Sequence, residues 1–437
     1  MSQITPRPRL RLPRGSGLAF ICALILSCVL MVIYALPLAP GGPIDALSQS
    51  DQSAASPQSS DSQTQDKPQP FKPRTQSVVM SGDLLWHSGL WDSAAQVAYE
   101  TGRGPYDFSV LFGPIRSTIE SADLAICHEE VPLAPEGVEP SGYPVFAAPQ
   151  EVAAAIAETG WDLCTTSSNH SLDQGFGGIE TTLRKFDEVG ILHTGTFRSP
   201  EERSTPTIYT SQEGVRIGVV SGTYSTNGIP LPEGQEWSVA FLDVEDMISR
   251  AQAAREAGAD IVLAAVHGGE EYVAEPNAQQ LEVAEALTAS DAIDLVYGHH
   301  VHVVQPWSIV NGKWVVYGLG NMVATPPFEY RRSHEGVTAR FVFTQSPEGG
   351  FVVTRAQYIP TLIDSYWAGE RPVLRPVLAA LASGEGVTSD LEIARIVTHD
   401  TVFSLGVPEV PALGPEGDIP SFDAQGEPIP AAGLEEG

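Results

Sequence analysis

The chain has little positive charge. Its 437 residues include 24 lysines and arginines against 54 aspartates and glutamates, which gives a formal net charge of −30. Nucleic-acid binding depends on neutralising phosphates with Lys and Arg, so this balance excludes a nucleic-acid partner. It also fits poorly with an anionic polymer lying along the whole surface. An anionic substrate would need positive charge that bound metal ions supply locally.

Cysteine is equally sparse. Of the four cysteines, Cys22 and Cys28 lie in an apolar run, and Cys127 and Cys164 each end a predicted strand. No paired-cysteine spacing of the kind that binds structural zinc is present. Cys127 and Cys164 could pair if their strands are neighbours, which export would permit. The alternative is two buried thiols, and the sequence leaves both open.

The amino-terminal segment predicts a membrane anchor. Residues 1–16 contain four arginines and no acidic residue, and residues 17–38 are nearly all apolar. About 20 apolar residues span a bilayer, and arginines before the span place the amino terminus in the cytoplasm. We therefore expect a single-pass anchor in the cell membrane with an extracellular carboxy-terminal domain. A cleaved signal peptide is the alternative, although its apolar region is normally shorter.

Composition divides the remaining chain into three parts. Residues 39–76 are rich in Ser, Gln, Asp and Pro, and residues 406–437 combine acidic residues with Pro and Gly. Such segments bury too little apolar surface to offset the entropy of ordering, so both are predicted to be disordered. Residues 77–405 are long enough for one large domain with its own core.

Apolar runs alternate with helical patterns inside this domain. Helices are predicted at 149–159, 178–189, 244–257 and 278–289, between β-like runs that end near residues 80, 127, 166, 220, 266 and 297. Strand–helix–strand repetition predicts an α/β domain with a mostly parallel core sheet. The later strands, near 314–317, 337–343 and 351–358, lack long helices between them and are expected to be more antiparallel.

Histidines gather where these strands end. Seven of the ten histidines lie at or beside such ends: His87, His128, His170, His267, His299, His300 and His302. Strand carboxyl ends are where ligand sites collect in α/β sheets. A lone histidine is usually structural, but this clustering beside carboxylates predicts a metal centre.

Five oxygen-bearing or histidine-rich strings supply the expected ligands. Proposed metal ligands are Asp83, His87, Glu130, Asn169, His267, His299 and His302. Glu129 is the alternative to Glu130, and His300 is the doubtful member of its triplet. His170 is the expected catalytic residue that orients or protonates a leaving oxygen, and Asp173 would hold it in its working tautomer.

Mixed carboxylate and imidazole ligands suit Mn, Fe or Zn. Two such divalent ions can clamp a phosphoryl group and activate water between them. The predicted chemistry is hydrolysis or transfer at a phosphate ester. A metallopeptidase acting on γ-glutamyl bonds needs the same water and is the weaker alternative.

The order of these strings resembles the CapA family of poly-γ-glutamate capsule synthesis proteins, which are related to calcineurin-like metallophosphoesterases. The resemblance covers about residues 77–330. It rests on Gly82-Asp83, Glu130, Asn169-His170 with Leu172-Asp173-Gln174-Gly175, His267-Gly268-Gly269-Glu270-Glu271-Tyr272, Gly298-His299-His300-Val301-His302 and Leu319-Gly320-Asn321. The chain departs from the family pattern at His128, where Asn is expected, and at Ser168, Gly268 and Val301. The His128 change puts the ligands of that segment in doubt.

The resemblance implies a four-layer sandwich of two β-sheets flanked by helices, with the metal site at strand ends. It also implies a role in making, exporting or anchoring poly-γ-glutamate or a related surface polymer. Expected partners are the membrane, through the amino-terminal helix, an anionic surface polymer or phosphate-ester substrate, and polymer synthase or export subunits. The alternative is a non-catalytic, metal-binding subunit of a polymer export or assembly complex.

Overall fold

The computed structural model describes residues 71–364, 370–408, 413–414 and 417–418. The predicted basic segment 1–16, anchor 17–38, most of linker 39–76 and most of tail 406–437 lie outside these residues. None of the helices in the described part of the chain is long and apolar enough to cross a membrane. The first strand begins at Thr75, inside the last residues assigned to the linker, and two very short strands fall within the predicted tail.

Sixteen strands are found among the described residues. They are β1 (Thr75–Leu84), β2 (Leu124–Glu129), β3 (Leu163–Thr165), β4 (Leu192–Thr194), β5 (Ile208–Thr210), β6 (Arg216–Thr223), β7 (Ile261–His267), β8 (Leu295–His299), β9 (Trp307–Val310), β10 (Lys313–Val316), β11 (Asn321–Val323), β12 (Glu335–Gln345), β13 (Phe351–Asp364), β14 (Val373–Pro376), β15 (Leu413–Gly414) and β16 (Gly417–Asp418).

The same residues contain ten α-helices and one 3-10 helix. The α-helices are α1 (Ser88–Thr101), α2 (Ser109–Phe112), α3 (Arg116–Glu120), α4 (Glu151–Thr159), α5 (Gly175–Val189), α6 (Pro200–Ser204), α7 (Val244–Glu256), α8 (Ala278–Thr288), α9 (Val377–Ser383) and α10 (Thr388–Val402); the 3-10 helix is Phe328–His334.

Two sheets make up the centre of the domain. The first sheet has the order β14-β13-β12-β1-β2-β3-β4, with β11 also paired to β1. The second has the order β5-β6-β7-β8-β10-β9. Strands β1 to β4 are mutually parallel, as are β6, β7, β8 and β10. The predicted antiparallel character is confirmed for β12 and β13, because the neighbours β1 and β12, β12 and β13, and β13 and β14 pair antiparallel. The remaining later strand, β10, pairs parallel with β8 and antiparallel with β9.

Side-chain alternation along the strands produces four layers. In β1, Val78 and Met80 belong to the core between the two sheets, whereas Val79 faces the helices that cover the first sheet. Such alternation follows from the two-residue period of a strand. On the far side, Val262 and Ala264 of β7 pack against α7 and α8. The predicted sandwich of two sheets flanked by helices is confirmed.

The four predicted helices are all present. They appear as α4, α5, α7 and α8, and α5 begins at Gly175, three residues before the predicted start. Their ends carry recognised signals. Gly160 and Gly190 adopt left-handed conformations just after α4 and α5, as is common at helix ends. Asn277 and Gln280 form a reciprocal capping box at the start of α8.

The structure settles the question of the two domain cysteines, because Cys127 and Cys164 form a disulfide. They lie directly opposite each other on the parallel neighbours β2 and β3, with Cα atoms 4.5 Å apart. Both side chains are buried against the helices that cover the first sheet. The bond therefore fixes the register of two strands whose next residues enter the polar cluster described below.

Removing this disulfide should lower stability. The bond closes a loop with a sequence separation of 37, and a loop of that length restricts the unfolded chain by about 3–4 kcal/mol. We expect the Cys127→Ala/Cys164→Ala double variant to lose about that free energy of unfolding, measured by urea denaturation. The Cys22→Ala/Cys28→Ala variant is the matched control. A loss below about 1 kcal/mol would show that the bond is absent or contributes little.

Glu335, the first residue of β12, predicts a pH dependence of stability. Burial raises the pKa of its carboxyl from 4.5 to about 7, against the opposing charges of Arg332 and Arg331. As pH rises, the folded chain therefore keeps this proton to a higher pH than the unfolded chain does, and the bound proton stabilises the fold. The contribution of this proton to the free energy of unfolding is complete below pH 4.5 and is lost as pH rises through about 7.

We expect the wild-type chain to lose about 2–3 kcal/mol between pH 5 and pH 8 relative to Glu335→Gln, which has no carboxyl to ionise. Urea denaturation of both proteins at the two pH values measures this difference. Parallel pH profiles for the two proteins would contradict it.

Candidate metal centre

The carboxyl ends of parallel strands from both sheets meet at one place. Asp83 near the end of β1 is in register with His128 of β2, and His267 of β7 is in register with His299 of β8. Asn169 follows β3 and is buried beside them. Four strands from two sheets thus bring together residues that are far apart in sequence, as the strand-end histidines predicted.

Two glycines allow this convergence. A Cβ atom on Gly82 would collide with the carbonyl oxygen of Gly320, and one on Gly298 would collide with the carbonyl oxygen of Tyr317. In the same places, Asp83 N–H donates to Gly320 O at 2.9 Å and Leu319 N–H donates to Gly298 O at 3.1 Å. Only glycine permits so close an approach, so these residues set the position of Asp83 and His299.

Two groups of three residues could each hold a metal ion. The first comprises Asp83, His128 and His299, and the second comprises Glu130, His300 and His302; within each group the ligand atoms lie within 4.8 Å of one another. All six side chains are buried. Carboxylate oxygen with imidazole nitrogen is a ligand set suited to Mn, Fe or Zn.

Asp83 belongs to the first group and also contacts two histidines of the second. Its Oδ1 is 2.7 Å from His299 Nδ1, and its Oδ2 accepts the backbone N–H of His300 at 3.1 Å and lies 3.4 Å from His302 Nδ1. Burial alone would raise the pKa of Asp83, but hydrogen bonds with His299 and His302 hold it well below 3.8. A permanent negative charge therefore sits between the two groups.

A chain of neutral histidines runs behind Asp83. His267 Nε2 lies 2.8 Å from Asn169 Oδ1, and His267 Nδ1 lies 2.9 Å from His128 Nε2. An amide oxygen only accepts, so His267 Nε2 donates to it and His267 Nδ1 accepts from His128. Burial holds the pKa of both rings well below 6.5. Both imidazoles are thus neutral near pH 7, the form that binds metals.

Several atoms of the two groups are buried without any hydrogen-bond partner. They are both carboxylate oxygens of Glu130, Nε2 of His299 and Nδ1 of His300. Buried polar atoms are normally satisfied, and each exception calls for an explanation such as an ion. Burial also raises the pKa of Glu130 well above 4.5 and lowers that of His300 to about 3. These oxygen and nitrogen atoms without hydrogen-bond partners are suited to binding a divalent metal ion.

His302 differs from its neighbours. Burial alone would lower its pKa, but the charges of Glu130 and Asp83 raise it to about 9. Its Nε2 lies 3.7 Å from Glu130 Oε1. His302 therefore carries positive charge near neutral pH in the absence of a bound cation.

His170 and Asp173, the predicted catalytic pair, lie beside these groups. His170 Nδ1 is 2.7 Å from Asp173 Oδ2, which also accepts the backbone N–H of Phe146 at 2.7 Å. The carboxylate therefore fixes which ring nitrogen of His170 carries the proton. Asn227 approaches from the loop after β6, where its Oδ1 accepts from Asn169 Nδ2 at 3.2 Å.

Three predicted ligands, Asn169, His267 and His87, belong to neither group. Asn169 and His267 contact the first group through His128, whereas His87 bonds elsewhere. It stands at the start of α1, and its Nδ1 accepts the backbone N–H of Thr325 at 3.2 Å. The structure brings it into neither of the two groups. Glu129, the alternative to Glu130, accepts Trp86 Nε1–H at 3.2 Å through its Oε2. Glu130 is therefore the carboxylate that joins a ligand group.

His128 and His300 take part in the groups although neither was assigned as a ligand from the sequence. The sequence contained a signal for each residue, since His128 follows the predicted strand that ends at Cys127 and His300 adjoins His299. The backbone conformation of four residues also distinguishes this region. His300 and His302 have φ values of 91° and 58°, and Tyr272 and Asn227 beside them have 66° and 52°. Such left-handed residues concentrate at functional sites.

Two solved structures are similar to this chain at low sequence identity. The fold is similar to that of Haemophilus influenzae NAD nucleotidase, with a TM-score of 0.39 at 14% identity over 78% of this chain and 64% of that one. It is also similar to a calcineurin-like phosphoesterase from Bacillus subtilis, with a TM-score of 0.37 at 13% identity over 76% of this chain and 99% of that one.

Two relatives are similar in sequence. The PGA biosynthesis protein CapA of Bacillus subtilis is 26% identical over 56% of this chain and 62% of its own length. The capsule biosynthesis protein CapA of Bacillus anthracis is 28% identical over 41% of this chain and 44% of its own length. The chain thus spans less than two thirds of either relative.

The family described as bacterial capsule synthesis protein PGA_cap matches residues 77–326, which include every residue of the two ligand groups and the His170–Asp173 pair. The match spans more than half of the chain. This protein is therefore a member of the PGA_cap family of bacterial capsule synthesis proteins.

Proposed function

We propose that this chain is a metal-dependent hydrolase of the phosphoesterase type that acts in the biosynthesis or export of poly-γ-glutamate or a related surface polymer. The observation that carries the proposal is the pair of buried ligand groups, the first containing Asp83 and the second in contact with it, in which Glu130, His299 and His300 have atoms without hydrogen-bond partners. A pair of bound divalent ions would supply a nucleophilic water and charge stabilisation for a phosphoryl group.

The chain's own residues have separate tasks in this proposal. Asp83, His128 and His299 would hold one ion, and Glu130, His300 and His302 the other. Asn169 and His267, which contact each other at 2.8 Å, line the same cluster and present an amide oxygen and an imidazole. His170 would give a proton to the leaving oxygen through the ring nitrogen that Asp173 does not contact.

The biological role is inferred from family membership. The matched relatives are named for PGA and capsule biosynthesis, and we extend that role to this chain. In this proposal residues 17–38 anchor the chain in the cell membrane, and the metal centre faces the extracellular side. The polymer or a phosphate ester is the substrate, and synthase or export subunits are the partners.

Two substitutions should separate metal binding from chemistry. In Asp83→Asn, loss of the carboxylate charge that contacts both groups should remove most bound metal and all hydrolysis. In His170→Gln, metal content should be unchanged while kcat falls by at least about 100-fold, as expected for loss of a general acid. The measurements are metal analysis of the purified full-length chain and release of nitrophenol from p-nitrophenyl phosphate and bis-p-nitrophenyl phosphate.

His193→Gln is the control for the histidine substitution, because His193 lies on β4 and bonds to Asp187 outside the centre. If the wild-type chain holds metal but hydrolyses neither ester, the enzymatic proposal fails. The non-catalytic alternative then gains support if Asp83→Ala and His299→Ala leave polymer display on cells intact. If no metal binds, both versions fail.

Topology can be tested on whole cells. We expect external protease to cleave the chain on intact cells with the wall removed, and washed membranes to retain it in high salt. A variant lacking residues 1–38 should stay inside the cell and resist the protease. Full protection of the wild-type chain would contradict the proposed orientation, and its release by washing would contradict the anchor.

A further inference from the structure

Tyrosine side chains surround the metal centre on its exposed side. Tyr224 lies 4.5 Å from His300, and Tyr272 lies 5.8 Å from His302, measured between ring centroids. Tyr330 packs on Tyr272 at 4.6 Å. Tyr272 and Tyr330 are 44% and 43% exposed. We call this pair the tyrosine shelf.

The shelf is held in place by its backbone. Tyr272 has a φ of 66°, a conformation that costs free energy for a bulky residue. Its N–H donates to Val301 O at 2.8 Å, between His300 and His302. Gln305 Nε2 donates to Val273 O at 2.9 Å and so secures the same loop. The exposed ring is therefore fixed relative to the second ligand group, as a preorganised binding surface requires.

The charges near the shelf are negative. The loops 141–146, 167–175, 224–230, 268–277 and 300–304 contain no Lys or Arg, and 268–277 contains three glutamates. Arg331 and Arg332 follow Tyr330 in the sequence. Both point to α10, where Arg331 bonds to Asp390 at 3.2 Å and Arg332 to Thr401 at 2.8 Å. An anionic group beyond the metal centre would meet glutamates and no free cation on these loops.

From this arrangement we infer that the tyrosine shelf selects substrates whose phosphate is attached to an uncharged ring, which stacks on Tyr272 and Tyr330 while the phosphate occupies the metal centre. The inference rests on the proposed function and narrows its substrate class. Ring stacking on aromatic side chains is favourable by itself and needs no charge. A polyanionic chain would be disfavoured as the group that occupies the shelf, because repulsion by the acidic loops would oppose it.

Binding of phosphonates tests this without requiring catalysis. The full-length chain loaded with Mn²⁺ is titrated calorimetrically with phenylphosphonate, cyclohexylphosphonate, methylphosphonate and 3-phosphonopropionate. We expect the two ring compounds to bind roughly three- to tenfold more tightly than methylphosphonate. The carboxylate of 3-phosphonopropionate should give no such gain. Tighter binding of the phenyl compound would indicate an aromatic group, and equal binding of the cyclohexyl compound a saturated ring such as a sugar.

The variants assign the preference to the shelf. Tyr272→Ala/Tyr330→Ala should reduce the ring advantage to less than about twofold and leave the Kd of methylphosphonate unchanged. Tyr272→Phe should keep it. Tyr99→Ala is the matched control, since Tyr99 is 92% exposed on α1. Equal binding of all four compounds, no binding at all, or an advantage that survives in the double alanine variant would each overturn the inference.

Hydrolysis is scored separately with phenyl phosphate. A ring preference without turnover would refute the proposed function and keep the shelf. Turnover without a ring preference would refute the shelf and keep the proposed function.

Discussion

The buried charge of Asp83 is the constraint around which the rest of the domain is arranged. An isolated carboxylate in the core is costly unless it is paired and hydrogen-bonded. Asp83 lies on the first sheet, while His299 and His300, which bond to it, end β8 of the second sheet. The two sheets can therefore pack only in an arrangement that brings these strand ends together. The metal centre therefore depends on the fold, and the packing of the two sheets depends on the hydrogen bonds of Asp83 in that centre.

The sequence predicted the parts of the structure that have local signals. The helices α4, α5, α7 and α8 follow from apolar periodicity, glycine stops and caps. The helices α1 and α10 were not predicted. Both lack a side-chain cap, but so do α4 and α5, so the missing cap does not explain the difference. The pairing of Cys127 with Cys164 depends on the register of β2 and β3, which no local pattern specifies. His128 joins Asp83 and His299 only because sheets from distant segments meet, and the family pattern has Asn in its place.

The distribution of charge explains how so acidic a chain could handle phosphate. The chain has a formal net charge of −30, and no Lys or Arg belongs to either ligand group. Attraction for an anion would then depend on bound metal alone, at one buried point. The exposed tyrosines beside it offer contact area without charge. In this arrangement the bound metal would hold the phosphate, and the tyrosines would select the group attached to it. Either part of the site could therefore change without the other.

The close approaches at Gly82 and Gly298 have a consequence for genetics. Any side chain at these positions would push Gly320 or Tyr317 away and so displace Asp83 and His299, although neither glycine has a chemical role. In a survey of random substitutions, the two glycines would score as intolerant as the ligands themselves. Intolerance at this edge of the sheets therefore does not identify a catalytic residue, and the difference between steric and chemical necessity has to be drawn from coordinates.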